Sequence, residues 1–264
     1  MRPFAPSLAG TFAHIHILGV RVDDVNWAET LEVLARFVEM GGTHRIATVN
    51  TEYLMAAHRD SEFAETLRHS DLNVPDSIGV LAAARWLGHP LRERVTGSDG
   101  IYRVAELCAQ RGFRLFLLGA APGVAERVAE LLTECYPGLT ICGTSSGSPD
   151  PAEEDAIAAH IRRSQADVLL IAYPHLAQEK WITRNQAKTG AAVAMGVGGA
   201  FDFVAGVQKR APQWMQRIGL EWLYRLILQP WRWKRMLALP HAAWLVFWQR
   251  FRVPVRQSDR RPAE

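Results

Sequence analysis

RLFLLGAAPGVAERVAELLTEC, residues 114–135, decides the fold. Its first six residues form an apolar run ending in Gly119. Such a run suits a strand buried on both faces, because a half-exposed strand would alternate polar and apolar residues. Gly119 and Gly123 then flank a turn, and a helical pattern over 122–135 starts with proline near its first turn. Strand, glycine turn and helix make half of a βαβ unit. The same grammar repeats on either side. Apolar strand candidates fall at 14–20, 45–50, 71–75, 139–143, 167–173 and 192–198, and helical patterns at 25–39, 78–87, 98–111, 151–164 and 177–188. Ser98 and Asp99 stand where caps would open the 98–111 helix, and acids crowd the start of the 151–164 helix, at its positive end. Alternation of this kind predicts an α/β fold, a Rossmann-like, mostly parallel sheet flanked by helices with right-handed crossovers. Ligands of such sheets bind beyond the carboxyl ends of the strands.

Composition agrees. The chain has 264 residues, 48% apolar and 22% charged, enough for a sizeable core and too apolar for disorder. The three cysteines Cys108, Cys135 and Cys142 have no CxxC spacing, which argues for a reducing compartment, against a zinc knuckle and for plain buried thiols. The first twenty residues lack the long apolar block of a secretory leader, and no run of 18 apolar residues exists to span a membrane. The net charge of +3 conceals an asymmetry. Residues 205–264 hold 12 Lys and Arg against 3 Asp and Glu, whereas residues 1–204 hold 18 against 24. Six of the nine tryptophans also lie in the last segment: Trp214, Trp222, Trp231, Trp233, Trp244 and Trp248. The expected organisation is an α/β catalytic domain over 1–205, a C-terminal helical, basic, Trp-rich appendage over 206–253 punctuated by Pro230 and Pro240, and a disordered tail over 254–264. Tryptophan favours the headgroup region and cations favour anionic lipid, so the appendage is expected to associate with a membrane surface; the competing reading is packing on the body or on a neighbouring subunit.

The residues after each strand candidate carry the chemistry. Thr48, Asn50, Thr51 and Glu52 follow 45–50, and these small polar groups serve equally as ligands for a sugar or phosphate or as a helix cap. Asp76 follows 71–75 behind a proline, placed for general-base work or for capping the next helix. Gly119 permits phosphate or ribose to approach a helix start, a weak signal without a full GxGxxG. Gln178 and Glu179 open a helix after 167–173. Gly196, Gly198 and Gly199 allow close backbone approach or a tight turn, and Lys209 and Arg210 follow as phosphate-facing cations or a solvated boundary. No Asp-x-Asp, HExxH, Walker A or GxSxG occurs, so no metal site and no cofactor is expected.

The order of motifs resembles the WecG/TagA/CpsF glycosyltransferases, glycosyltransferase family 26. The matching stretches are TVNTEYL at 48–54, DLNVPDSIGVLAAARWLG at 71–88, RERVTGSDG at 92–100, FLLGAAPGVAE at 116–126, QEKWI at 178–182, GVGGAFDFVAGVQKRAP at 196–212 and GLEWLYRLILQPWRWKR at 219–235. The resemblance implies a metal-independent, inverting hexosyltransferase that moves a glucose- or N-acetylmannosamine-type sugar from a UDP-sugar to a polyprenyl-diphosphate-linked sugar in cell-surface polysaccharide synthesis. It implies a peripheral place on the cytoplasmic face of the inner membrane and possible self-association. It assigns Asp76 as general base, Thr48, Asn50, Arg94 and Gln178 as substrate-binding, Gly119, Gly198 and Gly199 as nucleotide-binding, and Arg225, Arg232 and Arg235 as stabilisers of departing UDP. Two departures stand beside this pocket. Ser77 replaces the glycine of the PDG element, and extra residues separate Pro174 from Gln178. They bear on donor identity and motivate an alternative: a catalytically inactive nucleotide-sugar-binding scaffold. The basic, aromatic tail also raises nucleic-acid binding, which no motif supports and the acidic body opposes.

Overall fold

The computed structural model describes residues 12–252, the side chains of His175, Arg217, Arg232, Lys234, Arg235 and Arg252 excepted; the expected 254–264 tail lies outside the described residues. The first two strands are β1 (His14–Ile17) and β2 (Val20–Asp23). Six more follow: β3 (His44–Val49), β4 (Leu72–Pro75), β5 (Arg114–Gly119), β6 (Thr140–Ser145), β7 (Val168–Ala172) and β8 (Val193–Gly196). The helices of the first two-thirds are α1 (Trp27–Met40), α2 (Thr51–Arg59), α3 (Ser61–Arg68), α4 (Ile78–Trp86), α5 (Gly97–Arg111), α6 (Val124–Cys135), α7 (Glu154–Ser164), α8 (His175–Thr189) and α9 (Ala200–Val204). The C-terminal helices are α10 (Gln213–Arg217), α11 (Glu221–Leu228), α12 (Trp233–Met236) and α13 (Ala238–Arg252), with a 3-10 turn at Pro230–Arg232.

The main sheet has the order β4-β3-β8-β7-β5-β6, and every described pairing in it is parallel. The central runs Val168–Ala172 and Leu115–Gly119 are buried at each position, which is why they read as unbroken apolar stretches. Apolar clusters fill both faces. One gathers α1, α5 and α6 over the sheet, and the others gather α2, α3, α7 and α8 beneath it.

The 14–20 candidate resolves differently from the expectation. Leu18 and Gly19 both have positive φ, 51° and 85°, which turns the chain into the β1–β2 antiparallel hairpin outside the main sheet. The hairpin covers the β4 edge, where the Asn73 N–H donates to the Asp23 carboxylate at 2.8 Å. Caps fix the helix starts that matter. Asn50 accepts from the Tyr53 N–H and caps α2; Ser77 accepts from the Val80 N–H and caps α4. Thr96, and neither Ser98 nor Asp99, caps α5, because its hydroxyl accepts from the Asp99 N–H at 3.1 Å. Of the three cysteines, all free, only Cys108 is fully buried, its thiol pushed up to about 12 by burial; Cys135 is exposed at the end of α6.

The C-terminal segment departs from one of the expected breaks as well. Pro240 lies in the first turn of α13, where its missing N–H has no intrahelical partner to lose, and α13 runs on to residue 252. The break expected at Pro230 does form. Gln229 is extended (φ −133°, ψ 72°), so α11 ends before Pro230 and the three arginines fall on three separate elements. Among the described residues no helix is long and apolar enough to cross a membrane.

Candidate active site

A cavity of about 1410 Å3 opens over the carboxyl ends of the strands and is roofed by α11 and α13. Thr48, Asn50, Asp76, Arg94, Gln178, Gly198, Gly199 and Arg225 all line it. The structure thus brings together eight of the sequence-derived site residues with described side chains. Gly119 is the exception. It stands behind the wall at the end of β5 with φ 110°, where a Cβ would lie 2.7 Å from the Ala172 backbone, and its neighbours Ala120 and Ala121 reach the cavity instead. The side chains of Arg232 and Arg235 lie outside the described residues.

Asp76 sits half-buried at the floor, the first residue after β4. Its N–H donates to Val49 O at 2.8 Å, continuing the β3–β4 ladder, and its Oδ1 accepts from the Gly97 N–H at 3.0 Å. The residue is therefore fixed through its main chain by β3 and through its carboxylate by the start of α5. Burial pushes it up to about 6; the Gly97 N–H and the charges of Arg225 and Arg94 pull it down, and the Glu221 charge pushes it up. Gly97 also packs tightly on the segment after β8, since a Cβ there would lie 3.0 Å from Val197 Cα.

Three arginines share this field. Arg225 Nη2 donates to Glu221 Oε1 at 3.0 Å, and its guanidinium lies 4.8 Å from the Phe203 ring centroid. Arg94 Nη1 approaches Glu221 Oε2 at 3.8 Å. Arg210 Nη1 donates to Asp99 Oδ1 at 2.6 Å, and Asp99 Oδ2 in turn accepts from the Thr96 hydroxyl at 2.7 Å. The Nε and Nη2 atoms of Arg210 and the Nε of Arg225 are shut from solvent with no hydrogen-bond acceptor among the described residues. Arginine edges of this kind match two oxygens of a phosphate group. Arg210, Asp99 and Glu221 stand outside the sequence-derived site set: Asp99 reads as a helix cap, Arg210 as a phosphate-facing cation or part of a solvated boundary, and Glu221 carries no reading of its own.

Gln178 arranges the opposite wall. Its Oε1 accepts from the Gly198 N–H at 3.0 Å, and its Nε2 donates to the Tyr53 hydroxyl at 2.7 Å. That hydroxyl donates to Glu179 Oε1 at 3.1 Å. Burial pushes the Glu179 carboxyl up to about 7, offset in part by the Tyr53 hydrogen bond and the charge of Arg45. Thr48 Oγ1 donates to Gly196 O at 3.0 Å, tying β3 to β8 below the cavity. Asn50 and Ser77 are helix caps in fact, so their acceptor oxygens serve the backbone as well as the cavity. No three or more His, Cys, Asp or Glu side chains among the described residues are grouped to hold a metal ion.

A parallel doubly wound sheet with its polar groups gathered past the strand ends defines an α/β ligand-binding protein whose site sits where that fold places it. Comparison with known proteins makes the class specific. The model of the Glycosyl transferase WecG/TagA/CpsF family matches residues 15–256, and the chain belongs to that family. A Bacillus subtilis (strain 168) protein named N-acetylglucosaminyldiphosphoundecaprenol N-acetyl-beta-D-mannosaminyltransferase is 39% identical over 200 residues, covering 75% of this chain and 77% of its own. A protein of the same name from Bacillus spizizenii is 35% identical over 195 residues, covering 74% and 75%. One from Staphylococcus aureus (strain NCTC 8325 / PS 47) is 28% identical over 226 residues, covering 85% and 87%.

Proposed function

We propose that the chain is an inverting glycosyltransferase that moves a hexose or N-acetylhexosamine from a UDP-sugar to a sugar on a polyprenyl diphosphate, for cell-surface polysaccharide. The observation that carries this is Asp76, held by the Gly97 N–H at 3.0 Å at the floor of a cavity whose wall bears Arg94, Arg210 and Arg225. The names of the relatives supply the acceptor class. An acceptor hydroxyl gives its proton to Asp76 as its oxygen attacks the anomeric carbon. The bond from that carbon to the phosphate oxygen breaks on the opposite face, and UDP departs with the electron pair. One carboxylate suffices for a single displacement with inversion. The arginines offset the charge that develops on the leaving diphosphate, a role that preorganised cations fill in a partly water-excluded site. Thr48, Asn50, Gln178, Gly198 and Gly199 position donor and acceptor. The exposed C-terminal aromatics and cations hold the protein to the cytoplasmic face of the inner membrane, where a polyprenyl acceptor resides.

The test is a donor screen. Full-length protein is incubated with detergent-solubilised polyprenyl-diphosphate sugars and a panel of UDP-sugars in EDTA, following UDP release and the mass of the lipid product. Transfer from one donor with inverted configuration is expected. Absence of transfer from every donor, in the presence of a lipid extract from the native host, sinks the reading.

A further inference from the structure

The cavity does not end at the charged cluster. Beyond Asp76 it continues as an apolar trough between α4 and the C-terminal helices. Ser77 caps α4 directly beside Asp76, so the helix leads away from the reacting carboxylate. Ile78, Ala82 and Trp86 line the trough from α4, at four-residue spacing and therefore on one face. Leu239, Ala243 and Phe247 line it from α13, again at four-residue spacing. From Ile78 to Trp86 the trough runs about 12 Å, at the helical rise of about 1.5 Å per residue. Its far end is marked by the stacked rings of Trp86 and Phe247, with centroids 5.4 Å apart and planes 22° apart. Around that end α13 presents Trp244, one turn before Phe247, and Trp248 and Phe251 beyond it, all exposed.

One continuous cavity thus has an end rich in arginine, a carboxylate at the junction and an apolar arm that opens beside an exposed aromatic ridge. A nucleotide-sugar fills only the polar part. The rest suits the acceptor: its sugar reaches Asp76 at the junction and its hydrocarbon chain lies in the apolar arm.

We propose that the α4–α13 trough is the binding site for the first isoprene units of a polyprenyl diphosphate acceptor, and that Ala82 and Ala243 keep it open. This rests on the acceptor reading above. The chain enters past Trp86 and Phe247 from the aromatic ridge, and the attached sugar is delivered to Asp76. The small side chains at 82 and 243 have a function here: both are exposed alanines on helix faces that otherwise present large apolar groups.

The experiment uses the full-length protein and N-acetylglucosamine linked through diphosphate to chains of increasing length: methyl, geranyl and farnesyl. Ala82→Trp and Ala243→Trp fill the trough at exposed positions, and thermal melts check that the variants fold. In wild type the acceptor KM is expected to fall steeply with chain length, since each buried methylene strengthens binding about fourfold. In the variants the farnesyl acceptor should lose at least about tenfold in KM, with the donor KM and the methyl-acceptor KM unchanged. A farnesyl acceptor carrying a photoreactive terminal group should crosslink within 78–86 or 236–247. Wild-type turnover with a KM indifferent to chain length, or crosslinks confined elsewhere, overturns the trough while leaving the glycosyltransferase reading intact. A variant that changes only the self-association of the protein assigns the face to a second copy and overturns it equally. No turnover of any lipid-linked acceptor overturns the acceptor reading, and the trough with it.

Discussion

In the proposed reaction Asp76 is the base, and its surroundings set the pH at which it can act as one. Burial holds the carboxyl at about 6, so the charged, proton-accepting form dominates only above that pH. The acid limb of kcat/KM is therefore expected near pH 6, falling about tenfold per unit below it, as a pH–rate profile will show. Asp76→Asn should abolish turnover and retain UDP binding by calorimetry; a fully active variant removes Asp76 from the role. The same residue has an opposite effect on stability. Its folded value lies above the ordinary 3.8, so the stabilising contribution is complete below about pH 4 and is lost as pH rises through about 6. Asp76→Asn should then raise Tm at pH 8, by at most about 3 kcal/mol of stability at about 1.4 kcal/mol per unit, with the gap closing at pH 4. A Tm gap that persists at pH 4 refutes the linkage. Glu179, pushed up to about 7 in its contact with the Tyr53 hydroxyl, has the same sign: Glu179→Gln should melt higher than wild type at pH 8.5 and not at pH 4.5.

At the scale of elements, the start of α5 does the most with the least sequence. Thr96 caps it, the Gly97 N–H holds Asp76, and Asp99 holds Arg210, so three consecutive site functions issue from one helical turn. Gly97→Ala should cost about 1–3 kcal/mol by overpacking, because the new Cβ meets the Val197 backbone, which cannot rotate away. Chemical denaturation will read that loss, and kcat should fall with it as the Asp76 anchor moves. Wild-type stability in Gly97→Ala would disprove the contact. These features also mark what the sequence could and could not disclose. Five of the six sheet strands were legible because burial writes itself as apolar runs, whereas the edge strand β6, with no buried position, showed only as the short stretch at 139–143. The residues at their ends were legible because the fold dictates where ligands go. The β1–β2 hairpin was not, since Leu18-Gly19 lacks the usual Asn-Gly signal and VRVD reads as polar. Nor was the Asp99–Arg210 pair, whose members stand 111 residues apart and meet only through tertiary folding. Arg225 was placed by resemblance; its pairing with Glu221 follows from the i,i+4 spacing within α11, whereas its stacking on Phe203 came from tertiary folding.

At the scale of the molecule, the inner and outer sides of the C-terminal helices must be tested separately. On its inner side α13 is part of the core. Val246 is buried with Ile17, Val49 and Tyr53, the Leu18 N–H donates to Gln249 Oε1 at 2.8 Å, and Arg59 Nη2 donates to His241 Nδ1 at 3.0 Å. Removing residues after 205 therefore exposes apolar surface as well as deleting Arg225, and loss of activity in that truncation would not isolate a membrane role. The outer side does isolate it. Trp214, Trp222, Trp231, Trp233, Trp244 and Trp248 are all 40–71% exposed, on a segment with 12 Lys and Arg against 3 Asp and Glu. Each cation near an anionic surface contributes about 1 kcal/mol, and the proposed attachment puts that segment, rather than the acidic body, against the lipid. The protein should co-sediment with vesicles containing anionic lipid, far less with neutral ones, and be released as salt shortens the screening length. Trp244→Ser with Trp248→Ser should weaken vesicle binding and leave Tm unchanged, because neither ring is buried in the core. Protein that remains in the supernatant with anionic vesicles at low salt would assign the aromatic face to another surface, and equal binding to neutral vesicles would remove the cations from the attachment.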